Sequence, residues 1–225
     1  MIQNQEGTAT VTANVGPKWV EWAKRLQSMA QNGLYYAQDH YDIERYKAIT
    51  EISHEMLAMG SDTKLETVRE LFTHETGHAT PKVDVRVAAF RHDSGGPEVL
   101  LVRERRDGRW TLPGGWADVG ETPSEAAQRE VREESGFEVE ITRLLALYDK
   151  RMHPHPPQPY YIYKLFFEAR IVGSHSATGD GFETDATGFF ALNALPPLSL
   201  NRVVPQQIQR MFELHAAPDA PSDFD

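Results

Sequence analysis

The sequence predicts an α+β protein, with helices packed on a mixed sheet and a small helical unit ahead of it. Three observations carry this. Apolar residues recur every three or four positions through the first third, they alternate or run continuously in β-branched stretches afterwards, and two further helical patterns lie among at least five strand-like runs. Residues 17–38 place Trp19, Trp22, Leu26 and Met29 on one stripe, and residues 42–59 place Ile43, Tyr46, Ile49, Ile52, Met56 and Met59 on another. A third helix is expected over 63–73, opened by Thr63 and Glu66 in capping-box spacing and carrying Leu65, Val68, Leu71 and Phe72. After "GHATPK" the texture changes. "KVDVRVAAF" and "PEVLLVRER" flank a Gly-Gly turn as a hairpin, with Val83, Val85 and Val87 on one side. "EVEITRLLALYDK", "PYYIYKLFFEARIV" and "TGFFAL" are further strands, and "VPQQIQRMFELH" is a last helix. The expected division is a flexible start (1–16), a helical unit (17–75), an α+β domain (82–215) and a disordered tail (216–225).

Composition narrows the function classes. Hydrophobic residues at 40% suit a globular core, and 33 acidic against 23 basic side chains weigh against a broad nucleic-acid or anionic-membrane surface. The chain has no cysteine, which excludes disulfides, thiolate metal sites and a cysteine nucleophile. Its start lacks a basic region followed by an apolar run, and no window has the length of a membrane span, so a cytoplasmic location is expected.

"HETGH" at residues 74–78 matches the H-E-x-x-H pattern of zinc proteases. That chemistry needs a continuous helix that turns both histidines toward one metal. Gly77 inside the motif and Pro81 after it mark a helix end instead, so His74 and His78 are read as the start of a linker.

The stretch "PGGWADVGETPSEAAQREVREESGF" at 113–137 is more specific. Thr122 as N-cap, Pro123 at the first helical position, Glu125 closing a capping box and Gly136 as C-cap predict a helix over 123–135. Glu130, Glu133 and Glu134 then project from one side, with Ala127 and Val131 toward the sheet. Three carboxylates on one face repel unless a positive charge answers them. The pairs Glu125–Arg129 and Arg129–Glu133 supply part of it, as on an ordinary salt-bridged surface helix. The Gly-rich loop before the helix adds backbone carbonyls, and an all-oxygen donor set suits a hard divalent cation such as Mg2+ or Mn2+. Glu134 is expected on the solvent side.

This segment resembles the signature of the Nudix hydrolases, G-x5-E-x7-R-E-U-x-E-E-x-G-U, where U is bulky and apolar. Gly115, Glu121, Arg129, Glu130, Val131, Glu133, Glu134, Gly136 and Phe137 fill every fixed position. The resemblance implies an αβα sandwich over roughly 82–215 and hydrolysis of a diphosphate joining a nucleoside to another group X. It implies Glu130 and Glu134 as metal ligands, Glu133 as a further ligand or the base, the Gly114 carbonyl as a backbone ligand, and Arg129 paired with Glu121 in support. By the same likeness an acid from outside the signature completes the site, Glu183 before Asp185. The helical third is similar to that of a subgroup acting on ADP-ribose or CDP-choline, which implies a homodimer. A Nudix-like module that binds nucleotides without turning them over is the competing reading.

Substrate contacts are open at this level. Arg103, Arg105, Arg106 and Arg109 precede the signature, and Lys150, Arg151, His153 and His155 surround a Pro-rich loop. Any of these basic groups can meet a phosphate, and Tyr160, Tyr161 and Tyr163 can stack a base, although solvated strand ends and core aromatics are commoner outcomes.

Overall fold

The computed structural model describes residues 17–93, 95–173 and 182–225. The expected flexible start at 1–16 lies outside them. Three helices come first: α1 (Lys18–Tyr36), α2 (His40–Ser61) and α3 (Leu65–Phe72). The sheet domain runs β1 (Lys82–Asp93), β2 (Gly96–Glu104), β3 (Trp110–Thr111), α4 (Pro123–Ser135), β4 (Val139–Asp149), β5 (Ile162–Ile171), β6 (Thr184–Ala191), α5 (Pro205–Ala216) and β7 (Asp223–Phe224). Among the described residues, no helix is long and apolar enough to cross a membrane.

The sheet is mixed, and β1 is its hub. Residues 82–89 of β1 pair in parallel with β5, whereas Phe90 to Asp93 pair antiparallel with β2. The strand order is β3-β2-β1-β5-β4-β7, with β6 also on β2. Side chains alternate across the sheet, so β1 feeds two cores. Val85, Val87 and Ala89 pack with Ala126, Ala127 and Val131 under α4. Ala88, with Leu145, Phe166, Ile208 and Met211, fills the other face under α5. A helix on each face of one sheet is the expected sandwich.

Two local expectations need correction. Thr63 does not cap α3: the helix starts at Leu65 with Lys64 before it and no side-chain cap, and the Thr63 hydroxyl turns back to the Ser61 carbonyl. The tail is not patternless. Residues 223–224 add a parallel strand to β4, where Tyr148 donates to Asp223 (3.0 Å) and Arg210 holds both its oxygens (2.6 and 2.9 Å). Polar, Pro-rich composition hid an edge strand whose stability comes from partners remote in sequence. The apolar stripes of the first two helices are split: Trp19 and Met56 pack on the helical core, whereas Trp22, Met29, Ile52 and Met59 are exposed. The fully buried side is Val20, Ala23, Lys24, Gln27 and Ala30 in α1, and Ser53, His54, Leu57 and Ala58 in α2. Close helix approach favours small and polar residues there: Ala23 lets the Ser53 hydroxyl reach its carbonyl at 2.8 Å.

The C-terminal anchor is testable. Asp223→Ala removes three charge-assisted or phenolic hydrogen bonds at a part-exposed site and is expected to cost about 1–2 kcal/mol, read as a lower midpoint in urea unfolding. An unchanged midpoint would show that β7 contributes nothing to the fold.

Candidate active site

The carboxylate helix α4 has the ends its sequence dictates. The Thr122 hydroxyl accepts from the Glu125 N–H (3.2 Å), the Glu125 carboxylate accepts from the Thr122 N–H (2.8 Å), Pro123 occupies the first turn, and Gly136 closes the helix in the left-handed region at φ 74°. Ala127 and Val131 are buried toward the sheet, which fixes the rotation of the helix and sends Glu130, Glu133 and Glu134 toward the loop before it.

That loop lies on β1 because of two glycines. Gly114 has φ +141°, and a Cβ there would stand 2.0 Å from the Val85 carbonyl; a Cβ on Gly115 would stand 2.7 Å from the Glu130 carboxylate. Val87 N–H donates to the Pro113 carbonyl (2.9 Å) and Val85 N–H to the Gly115 carbonyl (2.8 Å). By the two-residue alternation of extended backbone, the Gly114 carbonyl is directed away from β1.

Arg129 organises the acids. Its guanidinium donates twice to Glu121 (2.8 and 3.0 Å), once to Glu130 (2.9 Å), once to Glu133 (3.1 Å), and reaches the Trp116 carbonyl (3.3 Å). The pairing of Arg129 with Glu121 is therefore formed and ties the loop to the helix. Hydrogen bonding to Arg129 lowers the Glu121 pKa. Glu130 is shifted the other way, upward by burial, with Arg129 opposing.

Glu134 departs from expectation. It is not on the solvent side but 6% exposed, accepting from the Gly114 N–H at 2.8 Å. Burial pushes its pKa from 4.5 up to about 8, against the pull of Arg86 and the Gly114 amide. With Glu134 turned to Gly114 and the other two acids drawn to Arg129, no three acidic or histidine side chains converge as a ready metal cluster among the described residues.

The floor of the site was missed by sequence reasoning. On the α5 side of β1, Asp84 and Arg86 are buried; Arg86 grips both Asp84 oxygens (2.9 and 3.0 Å) and the Leu112 carbonyl (3.1 Å), and Lys164 of β5 donates to Asp84 (2.7 Å). Burial alone would raise the Asp84 pKa, but the two cations hold it well below the carboxylate range. Lys164 is pushed down to about 8 by burial, and Lys150, also buried, to about 7 by burial and the nearby Lys164. Glu104 is buried against Arg202 (3.3 Å). The signal was present in "VDVRV": charged residues at alternate positions of a strand covered on both faces have to find buried partners.

The remaining candidates divide. Glu183 precedes β6, whose Thr184 hydroxyl donates to the Glu134 carbonyl (2.7 Å), so the chain carries Glu183 to the end of α4. Asp185 is held by Arg103 (2.7 Å), while the Arg105 backbone N–H donates to the Glu183 carbonyl (2.8 Å) and its Nε reaches the Thr184 carbonyl (3.3 Å). Arg151 pairs with Asp149 and stacks, as Lys24 does, on Tyr161. These groups form the seam between α1 and the sheet domain. Lys150 donates to the Asn201 carbonyl (2.6 Å). His155 is buried, bonded to the Leu200 carbonyl (2.7 Å), and pushed down by burial to about 3; it is a structural group. Trp116, unmarked in the sequence reading, is 43% exposed beside a concavity of about 330 Å3 shared with Lys82, Val83, Ala117 and Tyr160. His74 and His78 lie beyond the end of α3, with Gly77 at φ +81° between them, so they share no helix face and the zinc-protease geometry is absent.

Residues 82–211 match the family described as NUDIX domain, and residues 17–72 match one described as UDP-X-like, N-terminal oligomerisation domain. The chain is 42% identical over 211 residues to YjhB of Bacillus subtilis (strain 168), which carries ADP-ribose pyrophosphatase as a provisional name; the match covers 94% of this chain and 99% of that one. Among solved structures, an ADP-ribose pyrophosphatase from Streptococcus suis 89-1591 is 38% identical with a TM-score of 0.56, covering 65% of this chain and all of that one. A UDP-X diphosphatase is 29% identical with a TM-score of 0.59, covering 92% and 98%.

Glu134 links stability to pH in the metal-free protein. Its native pKa lies above the unfolded value, so its contribution is intact below about pH 4.5 and is lost as pH rises through about 8. Glu134→Gln stays neutral and still accepts from Gly114. Thermal unfolding in chelator should show this variant matching the parent near pH 4.5 and exceeding it at pH 8 by about 1–3 kcal/mol. A variant less stable than the parent at pH 8 would refute burial as the dominant influence.

Proposed function

The chain belongs to the Nudix family, and we propose that it hydrolyses the diphosphate bond of nucleoside diphosphate-X compounds, giving a nucleoside monophosphate and phospho-X. The observation that carries this reading is the carboxylate face of α4, closed on one side by the Gly114–Gly115 loop, with buried Arg86 near enough to act on Glu130 and Glu134. ADP-ribose ranks first among substrates, because YjhB and the Streptococcus suis protein carry that activity in their names. CDP-choline and UDP-linked compounds follow.

The donor set fits a hard divalent cation. Glu130 and Glu134 both have pKa values raised by burial, the state of carboxylates short of positive charge, and only oxygen ligands surround them. Glu130, Glu134 and the Gly114 carbonyl would hold Mg2+ or Mn2+, with Glu133 a further ligand where it is not the base. Bound there, the cation supplies charge neutralisation for the diphosphate and activation of water. The protein's own groups do the rest. Glu133, the most exposed of the three acids, takes the proton from the attacking water, with Glu183 as the second candidate. Asp185 is the weaker one because Arg103 neutralises it. Arg129 and Glu121 position the helix against the loop, Gly136 closes the helix, and Gly115 leaves room for the Glu130 carboxylate. Arg86, Lys164 and Lys150 give the diphosphate a positive field from below. Trp116, beside its concavity, offers a stacking face for the nucleobase.

Hydrolysis of ADP-ribose, CDP-choline and UDP-sugars, followed by phosphate release from the products with phosphatase, tests the reading. Activity is expected with Mg2+ or Mn2+ and should vanish in excess chelator. Glu133→Gln should lower kcat by about 100- to 10,000-fold with KM little changed. Full turnover in chelator would overturn the metal assignment, and a panel in which a nucleotide is bound but no nucleoside diphosphate-X is cleaved would favour the non-catalytic module.

We also propose a homodimer built on residues 17–75. Support comes from the exposed set of Trp22, Met29, Ile52 and Met59, the last 85% exposed, which no other described residue covers. Light scattering of the full chain should give twice the monomer mass, and a chain starting near Thr80 should give one. A monomeric full chain at micromolar concentration overturns the assignment.

A further inference from the structure

Away from the carboxylate helix, β1 and α5 bring two imidazoles together. Phe90 and His92 are two apart on β1 and so share its α5 side, continuing the line of Asp84, Arg86 and Ala88. His215 lies in the last turn of α5. The Nε2 atoms of His92 and His215 stand 3.1 Å apart.

Three contacts fix His215. Its ring stacks on Phe90 with centroids 4.0 Å apart and planes 16° apart. Its Nδ1 lies 2.5 Å from the Glu168 carboxylate. The other Glu168 oxygen accepts from Arg143 at 2.6 Å, and Arg143 also bonds the Leu214 and Pro218 carbonyls, tying the end of α5 to β4. A carboxylate held by a guanidinium only accepts, so the hydrogen of a neutral His215 sits on Nδ1 and its Nε2 lone pair is directed at His92. His92 is exposed and is the adjustable partner: with its own hydrogen on Nδ1, a second lone pair turns to the same point.

We propose that His92 and His215 form a binding site for a borderline-soft divalent cation of the zinc class, with Glu168 as the carboxylate behind the ligand histidine. Two imidazole nitrogens on one tetrahedral zinc, each at about 2.0–2.1 Å, are separated by about 3.3 Å, close to the spacing already present. Imidazole selects zinc, nickel or copper, whereas Mg2+ prefers oxygen, so this site and the α4 carboxylates sort different cations. A carboxylate bonded to the far nitrogen of a ligand histidine fixes its tautomer and ring orientation, the role Glu168 fills here. Solvent on the His92 side leaves room for water to complete the coordination. The bound cation would staple the end of β1 to the end of α5, on the face of the sheet opposite α4.

Calorimetric titration of the full chain with zinc chloride, with Mg2+ in excess to occupy oxygen sites, tests this. The parent is expected to bind one zinc more than His92→Gln, a surface change that leaves the Phe90 stack and the Glu168 contact in place. Glu168→Gln should keep the stoichiometry and weaken that zinc by about 10- to 100-fold. The melting temperature of the parent should rise with zinc at constant protein concentration, and that of His92→Gln should not. Equal zinc stoichiometry and equal zinc-dependent melting in parent and His92→Gln overturn the proposal. So does a zinc effect that appears only as protein concentration rises, since it would place the ligands on separate molecules.

Discussion

The buried Asp84 carboxylate, gripped by Arg86 and Lys164, is the constraint on which this structure depends. Two cations share one anion in a place with almost no water, an arrangement that is costly unless further acceptors lie close. The Leu112 carbonyl accepts from Arg86, Glu104 and Glu134 lie near enough to act on Arg86 through charge, and each sits on a different segment. The network therefore sets the position of β5 against β1, of the chain before the Gly114–Gly115 loop, and of the far end of α4. Replacing it with apolar groups would fill the volume but remove the positive floor beneath the carboxylates.

From this floor the acids acquire distinct characters. Glu134 is buried and bonded to a backbone amide, Glu130 is partly buried and drawn to Arg129, and Glu133 is nearer the solvent on the same guanidinium. Like charges this close are tolerated because Arg129 answers two of them and burial keeps a proton on the third. The stabilising arrangement without a cation and the arrangement for chemistry thus pull in different directions, a conflict common where binding groups are crowded.

The helical third obeys a different economy. Its internal core is small, centred on Ala23, Leu57, Ala58, Val68 and Phe72, and Tyr160 from the sheet domain seals one side. Tyr160 donates to the Leu71 carbonyl, and the seam of Lys24, Arg151 and Tyr161 fastens α1 beside it. These are modest contacts, compatible with a unit whose larger apolar face is turned outward.

Local chemistry made much of this legible in the sequence alone. The limits of α4, its caps and its carboxylate face are properties of residues within one turn of each other, so their order along the chain suffices; the pairing of Arg129 with Glu121 came from the family resemblance. The same holds for the end of α3 before "HETGH", where Gly77 and Pro81 act on their own backbone. Tertiary structure decided whatever depended on distant partners. The depth of Glu134 follows from the Gly114 amide and the sheet beneath it, which helix periodicity cannot register. Asp84 and Arg86 looked like an ordinary polar face of β1 until β5 and α5 closed over them. Trp22 and Met29 on α1 and Ile52 and Met59 on α2 recur as residues of a buried face would, and only the packing of the two helices, with Ala23 against Ser53, leaves them exposed. The tail became a strand because Tyr148 and Arg210, far along the chain, hold Asp223. His92 and His215, 123 positions apart, meet only because α5 lies across β1.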